Sequence, residues 1–266
     1  MPSQHALVKP AGRRDAARLL VVTYLSVRAF WIVSGLTGRA TDAMTPEALV
    51  KLALWAPTCL LVVWILGKES KQSPLTELGL GAGAFRGLIF GLIATLPMVI
   101  ALIWLPRKPL DPDLVVGSAM IGPFAEELLF RGFLFRQLIR RAAWSVTAAL
   151  IVSSLFFGLA HVRNIDLGAL TLFSGDWLPL VVSYGLPYAA GGAVFAWVAY
   201  RWKSLWPAIA LHGFINLWWD LTQGEHARLI FQLDLLSAAQ ALSVALAVGL
   251  TIRWTRRDAG PADPKV

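Results

Sequence analysis

The chain has 266 residues, of which 57% are hydrophobic and 15% charged, and its mean hydropathy is +0.63. Soluble domains carry about 25% charged and 45–50% apolar residues, so a soluble domain is excluded, and so is a disordered chain. Cys59 is the single cysteine, which excludes a disulfide scaffold. The formal net charge of +8 does not point to nucleic acid. The basic residues lie in short clusters between apolar spans, with no recognition motif beside them, and membrane orientation accounts for such clusters. The fold class that remains is an all-α, polytopic membrane bundle of about eight transmembrane helices, with the lipid bilayer as a partner and no nucleic acid.

In chain order, residues 1–18 read as a cytoplasmic tail. The bundle occupies 19–252, with apolar spans near 19–38, 47–67, 87–106, 114–135, 142–161, 178–200, 205–221 and 231–252. Each is close to the roughly 20 residues a bilayer requires. The first is too long for a signal peptide, is interrupted by Arg28, and has no small-residue cleavage site after it. The stretch 68–86, rich in Gly, Ser and Lys, reads as a loop, and 253–266 as a second tail. Gly87 and Gly91, and the pair Gly191-Gly192, are spaced for close helix approach. Pro97 and Pro187 are expected to kink their spans. Trp104, Trp177, Trp202, Trp206, Trp218 and Trp219 fall near span ends, as an aromatic belt would. Outside the spans, one set of alternate connections holds only Arg39, Arg107, Lys108, Arg163 and Arg228. The other set, with both ends of the chain, holds most of the remaining lysines and arginines, so both termini are expected in the cytoplasm.

Ionisable groups inside spans are costly and mark function by default. Three groups stand out: Glu126-Glu127 with Arg131, then Phe157 with His161, then His212 with Asn216. Glu127 and Arg131 are four apart on a helix and share a face, the acid preceding the base. Glu126 points about 100° away and has no local partner. A carboxyl group without a nearby cation in an apolar setting suits general acid–base work. Glu127 thus reads as structural and Glu126 as chemical. His212 and Asn216 also share a face and can converge on a developing oxyanion. Each group alone has a blander reading, as an interface residue, a packing pair or interhelical glue. His5 and His226 carry no such argument, Asp220 and Asp234 read as solvated span ends, and Arg28 and Lys51 as snorkelling cations.

The ordered set Glu-Glu-x-x-x-Arg, Phe-x-x-x-His and His-x-x-x-Asn, each within an apolar span, resembles the CPBP family. These are the CAAX proteases and bacteriocin-processing proteins, also called the Abi family. The resemblance covers about residues 114–219 and implies an intramembrane endopeptidase cutting membrane-associated peptides or protein tails. It implies that Glu126 activates water, that His161 assists, and that His212 and Asn216 stabilise the oxyanion, with Glu127 and Arg131 in support. Every one of these positions is present. No serine stands in a nucleophile motif such as Gly-x-Ser-x-Gly, and Cys59 shows no sign of activation. A divalent metal such as zinc on Glu126, His161 and His212 is the alternative chemistry. A metal-free site is favoured, because no His-Glu-x-x-His helix is present.

One geometric difficulty accompanies this reading. His161 ends its span, whereas His212 lies about 10 Å into its own. The two meet only if the helices around 136–141 extend beyond the bilayer. Two other function classes compete: a non-catalytic scaffold or bacteriocin-immunity factor of the same fold, and a proton relay. The relay is disfavoured because no pair of broken spans repeats between two halves.

Overall fold

The computed structural model describes residues 13–36, 44–67, 72–105, 107–162, 177–222 and 235–256. Apart from one isolated bridge between Arg107 and Thr222, the regular structure of these residues is helical. Two long helices open the chain, α1 (Arg13–Leu36) and α2 (Met44–Leu66). The stretch expected to be a loop instead contains a short helix, α3 (Pro74–Glu77), capped where Ser73 accepts a hydrogen bond from the Thr76 amide. That helix forms because Glu77 is buried and ion-paired to Arg141, an anchor that composition does not reveal. The third span is divided into α4 (Ala84–Ala94) and α5 (Leu96–Ala101). Pro97 lacks an amide hydrogen to continue the ladder, and the Thr95 hydroxyl donates back to the Gly91 carbonyl at the break.

The fourth span is unusual. A π-helical stretch, Leu114–Ile121, runs into α6 (Gly122–Glu127), then a second π-helical stretch, Leu128–Phe135, then α7 (Arg136–Arg140). Such wider winding is rare and concentrates at functional positions; here it brackets the two glutamates. Next come α8 (Val146–His161), capped by Ser145, and α9 (Trp177–Leu180), which passes through π-helical Val181–Gly185 into α10 (Leu186–Trp202). Pro187 opens α10 just where the winding changes. The last helices are α11 (Trp206–Leu221) and α12 (Leu235–Arg256). Of the expected tails, Arg13–Arg18 and Arg253–Arg256 are end turns of α1 and α12. The rest of both tails, with His5, His226 and Asp234, lies outside the described residues.

Among the described residues, four helical segments are long and apolar enough to cross a membrane: Arg14–Ser34, Thr45–Leu66, Val181–Trp202 and Leu235–Arg256. Two shorter apolar helices, α4 and α8, accompany them. Their outer faces carry large exposed apolar side chains, among them Ile32, Trp64, Phe85, Leu155 and Leu242. A surface this apolar is matched by lipid rather than by water.

Two cores hold the bundle. The first joins α1, α2, the 125–142 segment and α8 through Phe30, Trp55, Cys59, Phe130, Phe133 and Phe157. The second joins α4, α5, α10, α11 and α12 through Phe90, Met98, Phe195, Leu211 and Ile215. Small residues bring helices together, as expected for Gly87 and Gly91: a Cβ at either would fall 2.6–2.9 Å from the backbone of Trp206 or Ala210. Gly192 is likewise filled against Arg131 and Phe157, whereas Gly191 faces open space and serves no approach.

Candidate active site

Glu126 and Glu127 end α6 in the first core, and both are buried. The wide winding after them carries Arg131 back over Glu127, where its Nη1 donates to Glu127 Oε1 at 3.0 Å. Both side chains are fully withdrawn from the surface, at 0% exposure. The guanidinium also lies over the Phe157 ring at 4.0 Å and near the Phe195 ring at 5.5 Å. Across the seam between the cores, His212 Nδ1 sits 2.9 Å from the same Glu127 Oε1. A carboxylate paired with arginine only accepts hydrogen bonds, so His212 Nδ1 carries the hydrogen and Nε2 keeps its lone pair. Phe195 stacks on that imidazole at 4.7 Å and fixes its plane.

His161 is oriented in the same way by different partners. Its Nδ1 lies 2.8 Å from the Phe157 carbonyl, which can only accept, so Nε2 again presents a lone pair. Tyr188 stacks on the ring at 4.1 Å. Glu126 Oε2 faces both imidazoles, 3.7 Å from His161 Nε2 and 3.8 Å from His212 Nε2. Three acceptor atoms therefore converge on one space, at separations too long for direct hydrogen bonds.

The other oxygen of Glu126 is occupied. Lys51 Nζ, from α2, donates to Oε1 at 2.8 Å and lies 3.4 Å from Glu47. This corrects two expectations. Lys51 does not snorkel away, and Glu126 is not without a cation; its partner lies 75 positions away on another helix.

Residues 111–218, which contain all of these side chains except Glu47 and Lys51, match a family model described as Type II CAAX prenyl endopeptidase Rce1-like. The match covers less than half of the chain and contains the ordered glutamate, histidine and asparagine positions. A Bacillus subtilis (strain 168) protein described as "Putative membrane peptidase YdiL" is 28% identical over 117 residues. That match spans 44% of this chain and 40% of the relative, less than half of either. No solved structure matches.

Within the matched segment the sixth expected residue stands slightly apart. Asn216 Nδ2 donates to the Ser118 carbonyl at 3.2 Å, so one of its amide hydrogens is tied to the Leu114–Ile121 stretch. Ser118 in turn hydrogen-bonds Asp220, which is therefore engaged rather than simply solvated. The alternative zinc set, Glu126, His161 and His212, is the same trio that faces this space. The Lys51 ammonium sits on Oε1 of Glu126, the oxygen turned away from the two histidines. Sequence reasoning missed Lys51 and the stacking rings of Tyr188 and Phe195. For Lys51 a signal existed: an ionisable residue inside an apolar helix, with Glu47 one turn before it.

Proposed function

We propose that the protein is an intramembrane endopeptidase that hydrolyses a peptide bond in a membrane-associated peptide or protein tail. The observation that carries this reading is the convergence of three acceptors, Glu126 Oε2 and the Nε2 atoms of His161 and His212. A group with two hydrogens to donate satisfies such a space, and a water molecule has them. In the proposed reaction its oxygen attacks the scissile carbonyl carbon while Glu126 Oε2 takes one proton. The carbonyl oxygen becomes an oxyanion. A histidine that has received that proton from Glu126 can then donate to it, as can the second amide hydrogen of Asn216. The C–N bond breaks, and the proton held by Glu126 or a histidine passes to the leaving amine. The products are a carboxylic acid and an amine, and water is the only co-reactant.

The partners have separate roles in this scheme. Lys51 keeps Glu126 ionised before attack, which is the form a base requires. Arg131 and Glu127 hold the His212 ring and its tautomer, as a carboxylate does for a catalytic imidazole. In the same reading, about eight helices span the bilayer, and the cluster of basic connections puts both termini in the cytoplasm.

The test compares membrane-peptide termini by mass spectrometry in cells carrying the wild type or Glu126→Gln, at matched expression. New termini present only with the wild type are expected and would name the substrate. Identical termini, with both forms rescuing a deletion, would overturn the peptidase reading and leave a scaffold or immunity factor.

A further inference from the structure

A second feature lies beyond the candidate active site. Residues of α7, α10 and α12 line a cavity of about 550 Å³ at the end of the bundle. Its walls carry Arg136, Arg140, Arg201 and Lys203, and no acidic residue lines it. Among the described residues, none of these four cations has a carboxylate within ion-pair distance. Arg140 bonds the neutral amide of Gln72 and Arg201 bonds the Thr255 hydroxyl. Glu77, which attracts Arg136, is held by Arg141. Arg136 and Arg140 repel each other across the wall.

A buried donor points the same way. Among the described residues, Arg136 Nε is buried without a hydrogen-bond partner, and Arg136 lines this cavity. The guanidinium of Arg131 turns instead to Glu127, Phe157 and Gly192. A buried donor without an acceptor is costly, and such a donor beside concentrated positive charge favours an anion with several oxygens. Arginine suits phosphate in particular, because its planar fork matches two oxygens at once. Trp202 and Trp254 complete the wall with apolar surface of the kind found at headgroup level.

We propose that this cavity binds a phosphate-bearing anion, either the headgroup of an anionic lipid or a free phosphate. The four cations and the open Arg136 donor supply the affinity, and the tryptophan wall lets an attached glycerol or acyl segment lie against it. Basic cavities between membrane helices bind lipid headgroups on this principle. The site is independent of the proposed hydrolysis and does not require it.

The experiment uses the purified full chain in mild detergent. Native mass spectrometry with equal phosphatidylglycerol and phosphatidylcholine reads lipid retention, and the unfolding temperature is followed in inorganic phosphate against chloride of equal ionic strength. The wild type is expected to retain phosphatidylglycerol in preference. Arg140→Gln and Lys203→Gln, both at exposed positions, are expected to lower retention about fivefold each, with circular dichroism unchanged. Stabilisation by inorganic phosphate equal to that by phosphatidylglycerol assigns the site to a soluble phosphate. Stabilisation by the lipid alone assigns it to a headgroup. Equal retention of both lipids with no effect of phosphate overturns the proposal, as does undiminished retention in the double variant.

Discussion

Glu126 and Glu127 are neighbours in the chain and both are buried, yet their surroundings differ in kind. Glu127 has short contacts to Arg131 and His212 on one oxygen, its other oxygen is buried without a hydrogen-bond partner among the described residues, and its side chain is 0% exposed. Glu126 is held on one side only, by Lys51, and turns its second oxygen toward two imidazoles more than 3.5 Å away. Lys51 and His161 have side chains 16% and 23% exposed, so this half of the site has an edge toward the surface. The difference separates two tasks. A carboxylate shared by an arginine and an imidazole orders its neighbours, and one whose open oxygen faces two imidazole nitrogens near the surface can exchange a proton.

The sharpest test of this division removes the available oxygen. Glu126→Gln is expected to lower turnover of the substrate found by terminus mapping by about 10²–10⁴-fold. Its unfolding temperature should change little, because Lys51 keeps Glu47 as a partner. A comparable loss of stability would show that Glu126 is as structural as its neighbour. Arg131→Met should do the opposite. It leaves a buried carboxylate without its cation, at a cost of about 3–5 kcal/mol, read as a large fall in unfolding temperature. A normal melting profile in this variant would remove the structural half of the comparison.

Smaller effects probe the supports. Gly213→Ala would set a Cβ 2.2 Å from the Ala119 carbonyl oxygen and force α11, with His212, away from Glu126. Overpacking of this kind costs about 1–3 kcal/mol, and turnover should fall with stability. Lys51→Met should reduce turnover about tenfold, or about 1.4 kcal/mol, while Lys51→Arg retains most of it. Equal activity in all three would make Lys51 a bystander. Gly191→Ala serves as the contrast, since its Cβ meets nothing within 4 Å. Stability should rise by up to about 1 kcal/mol through helix propensity.

The pairing of Glu127 with Arg131 was legible because it is local: four residues on one helix with complementary charge. The approach of His161 and His212 to Glu126 was legible through the ordered motifs, although helix lengths argued against it. The structure resolves that conflict by bringing the end of α8 to the seventh residue of α11, a staggered contact that equal-length spans do not suggest. Lys51 was not legible as a partner because nothing in α2 specifies which distant helix it faces. The same reason hid Glu77, whose partner Arg141 lies 64 positions on. Composition describes a segment's own preference for water, and these two residues are placed by an opposite charge from elsewhere. The tie between Asn216 and Ser118 escaped notice because its acceptor is a backbone carbonyl, which carries no residue identity.

Each histidine is delivered by a helix with a glycine pressed against another backbone. Gly158, three residues before His161, leaves room for the Gly185 carbonyl, and Gly213, next to His212, leaves room for the Ala119 carbonyl. Side-chain contacts loosen on warming as rotamers interconvert, but a glycine against a carbonyl has no rotamer to populate. The separation of the two imidazoles from Glu126 should therefore hold nearly constant across the working temperature range. Any loss of geometry then comes as a sudden parting of helices rather than as a gradual drift.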